Sequence, residues 1–439
     1  MKKSTASLLI FIVLLILGGI GWYVYTTKIA PQTGTTGTDP FGGFNPLGGT
    51  GSTAVPANNQ VPTTPDSPTT TTPTPTKLPL LRQLTITPVA GAMASTTASS
   101  TIVRYVDRGV GHIYEISLTS NDSQKITNTT IPRVYTTTWN RQGTAVILRY
   151  IKEGSTIISN FYADIIPPKK IVASSSPKTA TSTATSTIVS TPTPVQDVVG
   201  ELKGRFFPSN IIDIAVSPKG DRLFILSEEG EGSVGYLSRF TGDTRTQIFN
   251  SPLTQWNVDW NNEDSIILTT KATYAGVGFA YLIDLKKGTT EKILGPLRAL
   301  TTKASTDTTQ LFYTSSVDGK RFISKIFTLK DQTSQDVVFR TLPEKCVWSK
   351  KNSSIIFCAV PTDLRDTNLP DSWYQGKVSF VDTVWELDTE TGEVRQLSNL
   401  LDQSGKIIDV TNPFLDPKEN FLIFTNKRDL TLWSLDIQD

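Results

Sequence analysis

A repeat of 44 residues restricts the fold of this chain more than any other feature of its sequence. Each unit contains an apolar or aromatic residue, a polar turn and then a short β-branched strand. Successive units begin at Val216, Trp260, Ala304 and Trp348, so each start lies 44 residues after the last. Short strands repeated at this period are typical of β-propellers, in which each unit forms one four-stranded blade.

Longer steps on either side of this run indicate insertions in two further units. Trp139 lies 77 residues before Val216, and Leu415 lies 67 residues after Trp348. These steps exceed the repeat by 33 and 23 residues. One more step back from Trp139 reaches residue 95, just before another β-branched pair. The spacing therefore predicts an all-β, seven-bladed β-propeller.

The two insertions differ in composition, and we expect them to differ in role. Residues 167–196 of the second unit consist largely of Ser, Thr, Pro and Ala, which favours a disordered surface loop. Residues 361–380 of the sixth unit include Asp371, Trp373 and Tyr374. Because exposed aromatic residues in long loops are frequent at interfaces, these three are candidate binding residues. The alternative is that Trp373 and Tyr374 fold back and pack against the blade.

A second landmark recurs independently of the first. One strand of every unit carries an aromatic residue, and turn residues such as Lys287 and Gly288 follow most of these strands. This pattern fits a hairpin between the third and the fourth strand of a blade. The seven aromatic residues are Tyr114, Tyr162, Tyr236, Tyr281, Phe327, Trp385 and Trp433.

The ends of the repeat array predict how the ring closes. The sequence ends at Asp439, soon after the third strand of the last unit, so its fourth strand must come from elsewhere. Residues 81–85 (LRQLT) closely match residues 394–398 (VRQLS), a fourth strand of the sixth unit. We therefore expect residues 80–85 to complete the seventh blade, and the propeller to occupy residues 78–439.

The N-terminal sequence predicts a membrane anchor and a tether. Lys2 and Lys3 precede an uncharged stretch at residues 4–27, long enough to span a bilayer as a helix. Positive residues favour the cytoplasmic side, so we expect residues 1–28 to form a single-pass transmembrane signal anchor with the propeller outside. The alternative is a cleaved signal peptide. Residues 29–77 are rich in Thr, Pro and Gly, which predicts a disordered linker.

The composition argues against several classes of function. The formal net charge is +2 and there is no long basic run, so nucleic-acid binding is not expected. The chain contains one His and two Cys, too few for the usual thiolate or imidazole metal sites. The single histidine, His112, has no nucleophile motif near it. We therefore expect no catalytic residues, no metal and no cofactor.

One turn of the repeat resembles the corresponding turn of a known family. Residues 216–223 (VSPKGDRL) resemble the WSPDGK turn of TolB-type and WD40-like propellers, and residues 348–351 (WSKK) are a weaker match. The resemblance covers about residues 80–439. It implies a propeller fold and says little about function, because one fold can carry many unrelated sites.

The two cysteines are placed to pair across a hairpin. Cys346 and Cys358 lie at equal distances from Asn352 at the centre of the turn, so they are directly opposed in antiparallel strands. Opposed residues have Cα atoms within disulfide range, and the expected extracytoplasmic location permits oxidation. We predict a disulfide; the alternative is two buried free thiols.

These observations favour a binding role. We expect a non-catalytic scaffold, anchored at the outer side of a bacterial cytoplasmic membrane, that binds a protein partner through its loops. The alternative is an extracytoplasmic carbohydrate-binding or carbohydrate-active propeller, with a glycan partner and with carboxylates such as Asp259, Asp264 and Asp363 at the channel mouth. Acidic residues with perturbed pKa at one mouth would favour the alternative, and an apolar, carboxylate-poor face would favour the scaffold.

Overall fold

The computed structural model of the protein covers the propeller, within a compact unit that spans Pro75–Asp439. The expected membrane anchor (1–28), the linker (29–77) and residues 169–196 of the second-unit insertion lie outside the described residues. Within the described part of the chain, no helix is long and apolar enough to cross a membrane. The described residues are 78–97, 100–120, 122–168, 200–317, 321–365 and 368–438.

Among these residues, 28 strands form seven antiparallel sheets of four strands each. Strand β1 (Leu81–Gln83) comes first in the chain but belongs to the last blade, blade 7. Blade 1 contains β2 (Val89–Thr96), β3 (Thr101–Asp107), β4 (Ile113–Ser117) and β5 (Ser123–Lys125). Blade 2 contains β6 (Val134–Trp139), β7 (Ala145–Ile151), β8 (Ile158–Ile166) and β9 (Glu201–Phe206). Blade 3 contains β10 (Ile211–Val216), β11 (Arg222–Glu229), β12 (Gly232–Arg239) and β13 (Arg245–Ser251).

The remaining four sheets follow in the same order along the chain. Blade 4 contains β14 (Trp256–Asn262), β15 (Ser265–Thr270), β16 (Val277–Asp284) and β17 (Thr289–Arg298). Blade 5 contains β18 (Thr301–Ala304), β19 (Gln310–Val317), β20 (Arg321–Thr328) and β21 (Thr333–Asp336). Blade 6 contains β22 (Cys346–Trp348), β23 (Ile355–Pro361), β24 (Asp382–Asp388) and β25 (Val394–Asn399). Blade 7 contains β26 (Val410–Leu415), β27 (Phe421–Asn426), β28 (Leu432–Asp436) and β1.

The helical segments of the described chain are short and lie between strands. A 3-10 turn at Pro343–Lys345 precedes β22. Helix α1 (Asp371–Tyr374) lies in the sixth-blade insertion, between β23 and β24. Helix α2 (Leu400–Ser404) connects blade 6 to blade 7.

The seven sheets form a seven-bladed β-propeller, as the repeat predicted. From β2 to β26, the first strands of successive blades contact one another, so they surround a central channel and the fourth strands lie at the rim. All seven marker aromatics lie in third strands, from Tyr114 in β4 to Trp433 in β28. The two landmarks in the sequence therefore correspond to fixed positions within each blade.

The seventh blade closes the ring in the predicted way. β1 pairs with β28 so that Leu81 lies opposite Leu435, and strands from both ends of the propeller share one sheet. Leu81 is buried and packs in one cluster with Trp433 and Leu435. The Leu84 N–H extends the contact by donating to the Leu432 carbonyl at 2.8 Å. Pairing of β1 with β28 therefore completes the four-stranded sheet at the point where the two ends of the propeller meet.

Polar turns between the first and second strands join each blade to the next. Most of these hydrogen bonds connect residues about one repeat apart. Thr101 and Arg104 in β3 complete the ring by bonding to Asp416 of blade 7 and Gly143 of blade 2. The other bonds are Arg141 Nη1 to the Pro218 carbonyl (3.2 Å), Lys219 N–H to Glu263 Oε1 (2.7 Å), Asn261 Nδ2 to the Ala304 carbonyl (2.8 Å), Thr306 Oγ1 to the Ser349 carbonyl (3.0 Å) and Lys350 N–H to Glu419 Oε1 (2.6 Å).

The alternating strand direction within a blade separates its connections onto two faces of the ring. We call the side with the turns between first and second strands, and between third and fourth strands, the turn face. The other side, the loop face, has the loops between second and third strands and the connectors from each fourth strand to the next blade. The sixth-blade insertion lies between β23 and β24, so it belongs to the loop face.

A disulfide joins Cys346 in β22 to Cys358 in β23. The two residues are directly opposed in the strand register, as their spacing predicted. Both are buried and pack in one cluster with Trp348 and Ile356. The bond therefore links the channel-lining strand of blade 6 to its neighbour inside the core.

Ring closure by β1 can be tested with two adjacent leucines. Leu81→Ala should lower the free energy of unfolding by about 2–4 kcal/mol, because it removes a buried side chain between β1 and the rest of blade 7. Leu80, beside it, is 48% exposed, and Leu80→Ala should change stability much less. Urea denaturation of both variants measures the difference. Equal losses would contradict a specific role of β1 in closing the ring.

The disulfide can be tested by thiol labelling. Denatured, unreduced protein should contain no thiol that reacts with a maleimide. Replacing both Cys346 and Cys358 by Ser should lower the free energy of unfolding by about 2–4 kcal/mol, because a covalent loop is lost from the unfolded chain. The control is to compare the wild type and the double variant under reducing conditions, where the difference in their free energies of unfolding should shrink. Two labelled thiols in unreduced protein would show that the pair is not oxidised.

Candidate functional site

A cavity of about 260 Å³ lies in the channel towards the loop face. Its wall comes from the beginnings of the first strands of blades 3, 4, 5 and 7, and from the 3-10 turn before β22. Its polar lining residues are Asp213, Asn257, Asp259, Thr269, Thr302, Lys303, Glu344 and Asn412. Its apolar lining residues include Val258, Pro343 and Pro413.

Irregularities in the first strands direct some of these side chains. The β10 register shifts between Ile211 and Asp213, and the β26 register shifts between Thr411 and Phe414. Such bulges re-aim side chains at the ends of strands. Within the second bulge, Asn412 has a φ of 50°, in the left-handed region. Asparagine adopts this conformation more readily than most residues, which suits it to the bulge.

Asp213 and Arg149 form the first charged pair of the cavity. Asp213 Oδ1 lies 3.6 Å from Arg149 Nη1 and accepts the Ile214 N–H at 2.9 Å. Arg149 is buried and is held in place by donating to Asn160 Oδ1 and to the carbonyls of residues 211–212. Although 38% of the Asp213 side chain is reached by solvent, protein surrounds it in the narrow channel. Burial therefore raises the pKa of the Asp213 carboxyl, and Arg149 only partly opposes the effect.

Asp259 and Lys303 form the second charged pair. Lys303 Nζ lies 3.1 Å from Asp259 Oδ1, and the Ala304 N–H donates to Asp259 Oδ2 at 2.8 Å. Both carboxylate oxygens of Asp259 therefore have donors from blade 5. This pair joins blade 4 to blade 5 and also lines the cavity, so it combines a structural role with a position at the site.

Glu344 is the third carboxyl of the cavity and has a different environment. Tyr374 Oη donates to Glu344 Oε1. Glu344 Oε2 is shielded from solvent and has no hydrogen-bond partner in the described part of the chain. Burial raises the pKa of the Glu344 carboxyl, which Tyr374 and the more distant Lys303 only partly offset.

The sixth-blade insertion folds back over the loop face. Trp373 is 3% exposed and packs with Phe322 of blade 5 and with Leu342. The Asp371 carboxylate accepts a hydrogen bond from the backbone N–H of Tyr274, in the loop between β15 and β16 of blade 4. The insertion thus reaches from blade 6 across blade 5 to blade 4. It also lies beside the cavity, because the Tyr374 hydroxyl bonds to Glu344 of the cavity lining.

The predicted binding residues of the insertion therefore serve internal contacts. The structure matches the alternative in which the aromatics fold back: Trp373 is buried, and Tyr374 is partly buried with its hydroxyl on Glu344. Trp373 is buried because its indole has apolar and polar partners inside the fold. Asp371, Trp373 and Tyr374 shape the loop face, and Tyr374 bonds to Glu344 of the cavity lining.

A buried ion cluster holds the insertion in place. Lys345 is fully buried, with Nζ 2.8 Å from Asp382 Oδ2 and 2.6 Å from Asp409 Oδ1. Its ammonium also lies over the rings of Trp373 (5.1 Å) and Phe380 (5.3 Å). The Trp373 indole N–H donates to Asp409 at 3.1 Å. Burial raises the pKa of Asp382 to about 6, although Lys345 opposes the shift.

The three carboxylates proposed from sequence have different positions. Asp259 lines the cavity as expected. Asp264 lies at a turn and pairs with Lys286 at 2.5 Å, and Asp363 pairs with Arg365 in an exposed loop. Of the three carboxylates named for the carbohydrate alternative, Asp259 is therefore the one that lies at the channel mouth. The acidic residues that join Asp259 there are Asp213 and Glu344, which the sequence did not single out.

A periodic signal for the channel does exist in the sequence. The residue three positions before each repeat landmark is polar in six consecutive units, and three of these six residues line the cavity. In five of these six units the residue lies in the first strand of its blade, and in blade 6 Lys345 ends the 3-10 turn before β22. The residues are Thr136, Asp213, Asn257, Thr301, Lys345 and Asn412.

Comparison with known proteins yields similarity of fold. No protein-family model matches the chain, and no curated protein matches it in sequence. An oligogalacturonate lyase from Vibrio parahaemolyticus has a TM-score of 0.50 at 8% identity, with 82% of this chain and 94% of that chain covered. The tricorn protease has a TM-score of 0.48 at 10% identity, with 80% of this chain and 34% of that chain covered. TolB from Acinetobacter baumannii has a TM-score of 0.39 at 9% identity, with 69% and 80% covered.

These similarities concern architecture alone. At identities of 8–10%, the enzymes among these structures do not decide whether this chain catalyses a reaction. Within the described residues, no group of three or more His, Cys, Asp and Glu residues is arranged to hold a metal ion. The absence of catalysis, of metals and of cofactors stays a prediction.

The role of Lys345 in holding the insertion can be tested by removing its charge. Lys345→Met should lower the free energy of unfolding by about 3–5 kcal/mol, because it leaves two buried carboxyls without their cation. Lys406→Met is the matched control, since Lys406 is exposed and its ammonium bonds to Gln83 at 2.7 Å. Chemical denaturation compares the two variants. A loss no greater than that of the control would show that the cluster does not stabilise the fold.

Proposed function

We propose that this protein is a non-catalytic scaffold that binds a protein partner through its loop face. The observation that supports the proposal most strongly is an imbalance in exposed apolar residues between the two faces of the ring. Protein interfaces place aromatic and aliphatic residues in contact with the partner.

Eleven of the thirteen large apolar residues exposed in the described chain belong to the loop face, and the turn face has Leu80 and Ile166. The assignment follows from the position of each residue relative to its strand. The eleven residues are Ile86, Val110, Ile151, Ile157, Phe206, Leu253, Tyr274, Val277, Val338, Leu401 and Ile407.

Polar groups join neighbouring blades on both faces. On the turn face, Lys219 bonds to Glu263. On the loop face, Arg149 bonds to the Ile211 carbonyl and Thr269 to Thr302. The sixth-blade insertion on the loop face is held by the buried Lys345 cluster, so it offers a fixed surface to a partner.

The cellular setting belongs to the same proposal. The uncharged stretch at residues 4–27 behind Lys2 and Lys3 supports a single-pass anchor with the propeller on the extracytoplasmic side. A disulfide between Cys346 and Cys358 is compatible with that oxidising location. The Thr/Pro-rich residues 29–77 would then give the loop face freedom to meet a partner away from the bilayer.

Carbohydrate binding is the second candidate, and the cavity in the channel supports it. Asp213 and Glu344 are acidic residues with raised pKa at one channel mouth, which fits such a site. However, none of the described residues that line the cavity is aromatic, so a sugar ring would have no stacking surface there. The exposed apolar residues of the loop face favour a protein partner.

Site-specific photocrosslinking can test the scaffold proposal. A photoreactive amino acid at Val277, which is 49% exposed on the loop face, should capture one dominant protein in the native cells. The same group at Ile166, which is 37% exposed on the turn face, is the matched control and should not capture it. Capture of wall polysaccharide at Val277, with no protein, would favour carbohydrate binding. Equal capture of a protein at both positions would contradict binding through the loop face.

A further inference from the structure

We infer that the partner inserts a basic side chain, Lys or Arg, into the cavity at the loop-face mouth of the channel. This inference rests on the proposed scaffold function and names the chemistry of the contact. The cavity lies on the face that bears most of the exposed apolar residues, so a partner on that face covers its opening.

The charges around the cavity leave one carboxyl without a cation of its own. Asp213 has Arg149 at 3.6 Å, and Asp259 has Lys303 at 3.1 Å. Glu344 has only the hydroxyl of Tyr374 as a side-chain hydrogen-bond donor. An added cation would balance the third carboxyl, whereas an added anion would face three carboxyls. The charge balance therefore selects a positively charged group.

Glu344 supplies an independent indication of an incomplete site. Its Oε2 is shielded from solvent and has no donor in the described chain, which is costly for a carboxyl oxygen. A cation in the adjoining cavity would stabilise the ionised carboxylate at short range. Within the protein, the buried Lys345 is already committed to Asp382 and Asp409.

Other polar groups of the cavity provide acceptors for the same cation. Asp213 Oδ2 has no hydrogen-bond donor among the described residues, and its side chain is accessible. Asn257 and Asn412 are exposed, and neither side chain makes a hydrogen bond within the described structure. An ammonium or guanidinium group carries three or five N–H donors, so it can use several acceptors at once.

The apolar wall explains why the cation should be a side chain. Val258, Pro343 and Pro413 line the cavity beside the polar groups. Lys and Arg have an aliphatic stem that packs on apolar surface and a charged end that reaches polar partners. A cavity of about 260 Å³ can take one such side chain.

Blocked amino acids can test the inference directly. Nα-acetyl-arginine amide should bind the full-length protein in detergent at least about tenfold more tightly than Nα-acetyl-citrulline amide, as calorimetry or NMR titration would measure. Citrulline has almost the same shape and lacks the charge, so it is the matched control for the ligand. Nα-acetyl-lysine amide should also bind more tightly than citrulline. Equal affinity for all three compounds would overturn the inference.

Variants locate the binding to the cavity. Asn257→Lys adds a cation at an exposed position, so it should abolish arginine binding without disturbing the fold. Glu344→Gln should weaken binding by about tenfold or more, because it removes the unbalanced carboxyl. Asp264→Asn, at a turn on the opposite face, is the control and should bind as the wild type does. Unchanged affinity in Asn257→Lys would overturn the inference even if Glu344→Gln failed to fold.

Two results separate this inference from the scaffold proposal. In one result, a protein is still captured at Val277 in the Asn257→Lys variant, and the wild type does not bind the arginine compound. This result would overturn the inference about a basic side chain but would not contradict the scaffold proposal. Arginine binding in the cavity with no protein captured at Val277 would contradict the scaffold on which the inference rests. Loss of both protein capture and arginine binding in Asn257→Lys is the expected result.

Discussion

Hydrogen bonds between neighbouring turns, about one repeat apart, hold this ring together. From blade 2 to blade 6, the polar turn after the first strand bonds to the next blade, as Lys219 does with Glu263 and Asn261 with the Ala304 carbonyl. Equivalent bonding residues therefore recur at about the repeat length, except where an insertion lengthens a blade, as between Lys350 and Glu419.

Bonds between blades occur on both faces, as between Lys219 and Glu263 on the turn face and between Arg149 and the Ile211 carbonyl on the loop face. Among the described residues, most large exposed apolar side chains belong to the loop face, which also has the channel mouth lined by Asp213, Asp259 and Glu344. The buried Lys345 cluster holds Trp373 of the sixth-blade insertion on this face.

Features that depend on spacing alone were predicted well, and features that depend on packing were not. The number of blades, the aromatics of the third strands, the closing strand at residues 80–85 and the opposed pair Cys346 and Cys358 all follow from counting residues. Trp373 was a candidate for partner contact and is instead buried, because Phe322 and Asp409 supply its partners from distant blades. Nothing local to the insertion encodes those partners.

The sequence by itself determined the ring, because a period, a turn motif and an alternating strand pattern are local properties that every blade repeats. It also placed a polar residue three positions before the repeat landmark in six consecutive units, of which Asp213, Asn257 and Asn412 line the cavity. Only the tertiary structure decided which carboxyls share a cavity and which already have a cation. Asp259 and Asp264 are five residues apart, yet one faces the channel and the other a turn. Pairing across blades depends on distances in space, which residue order does not specify.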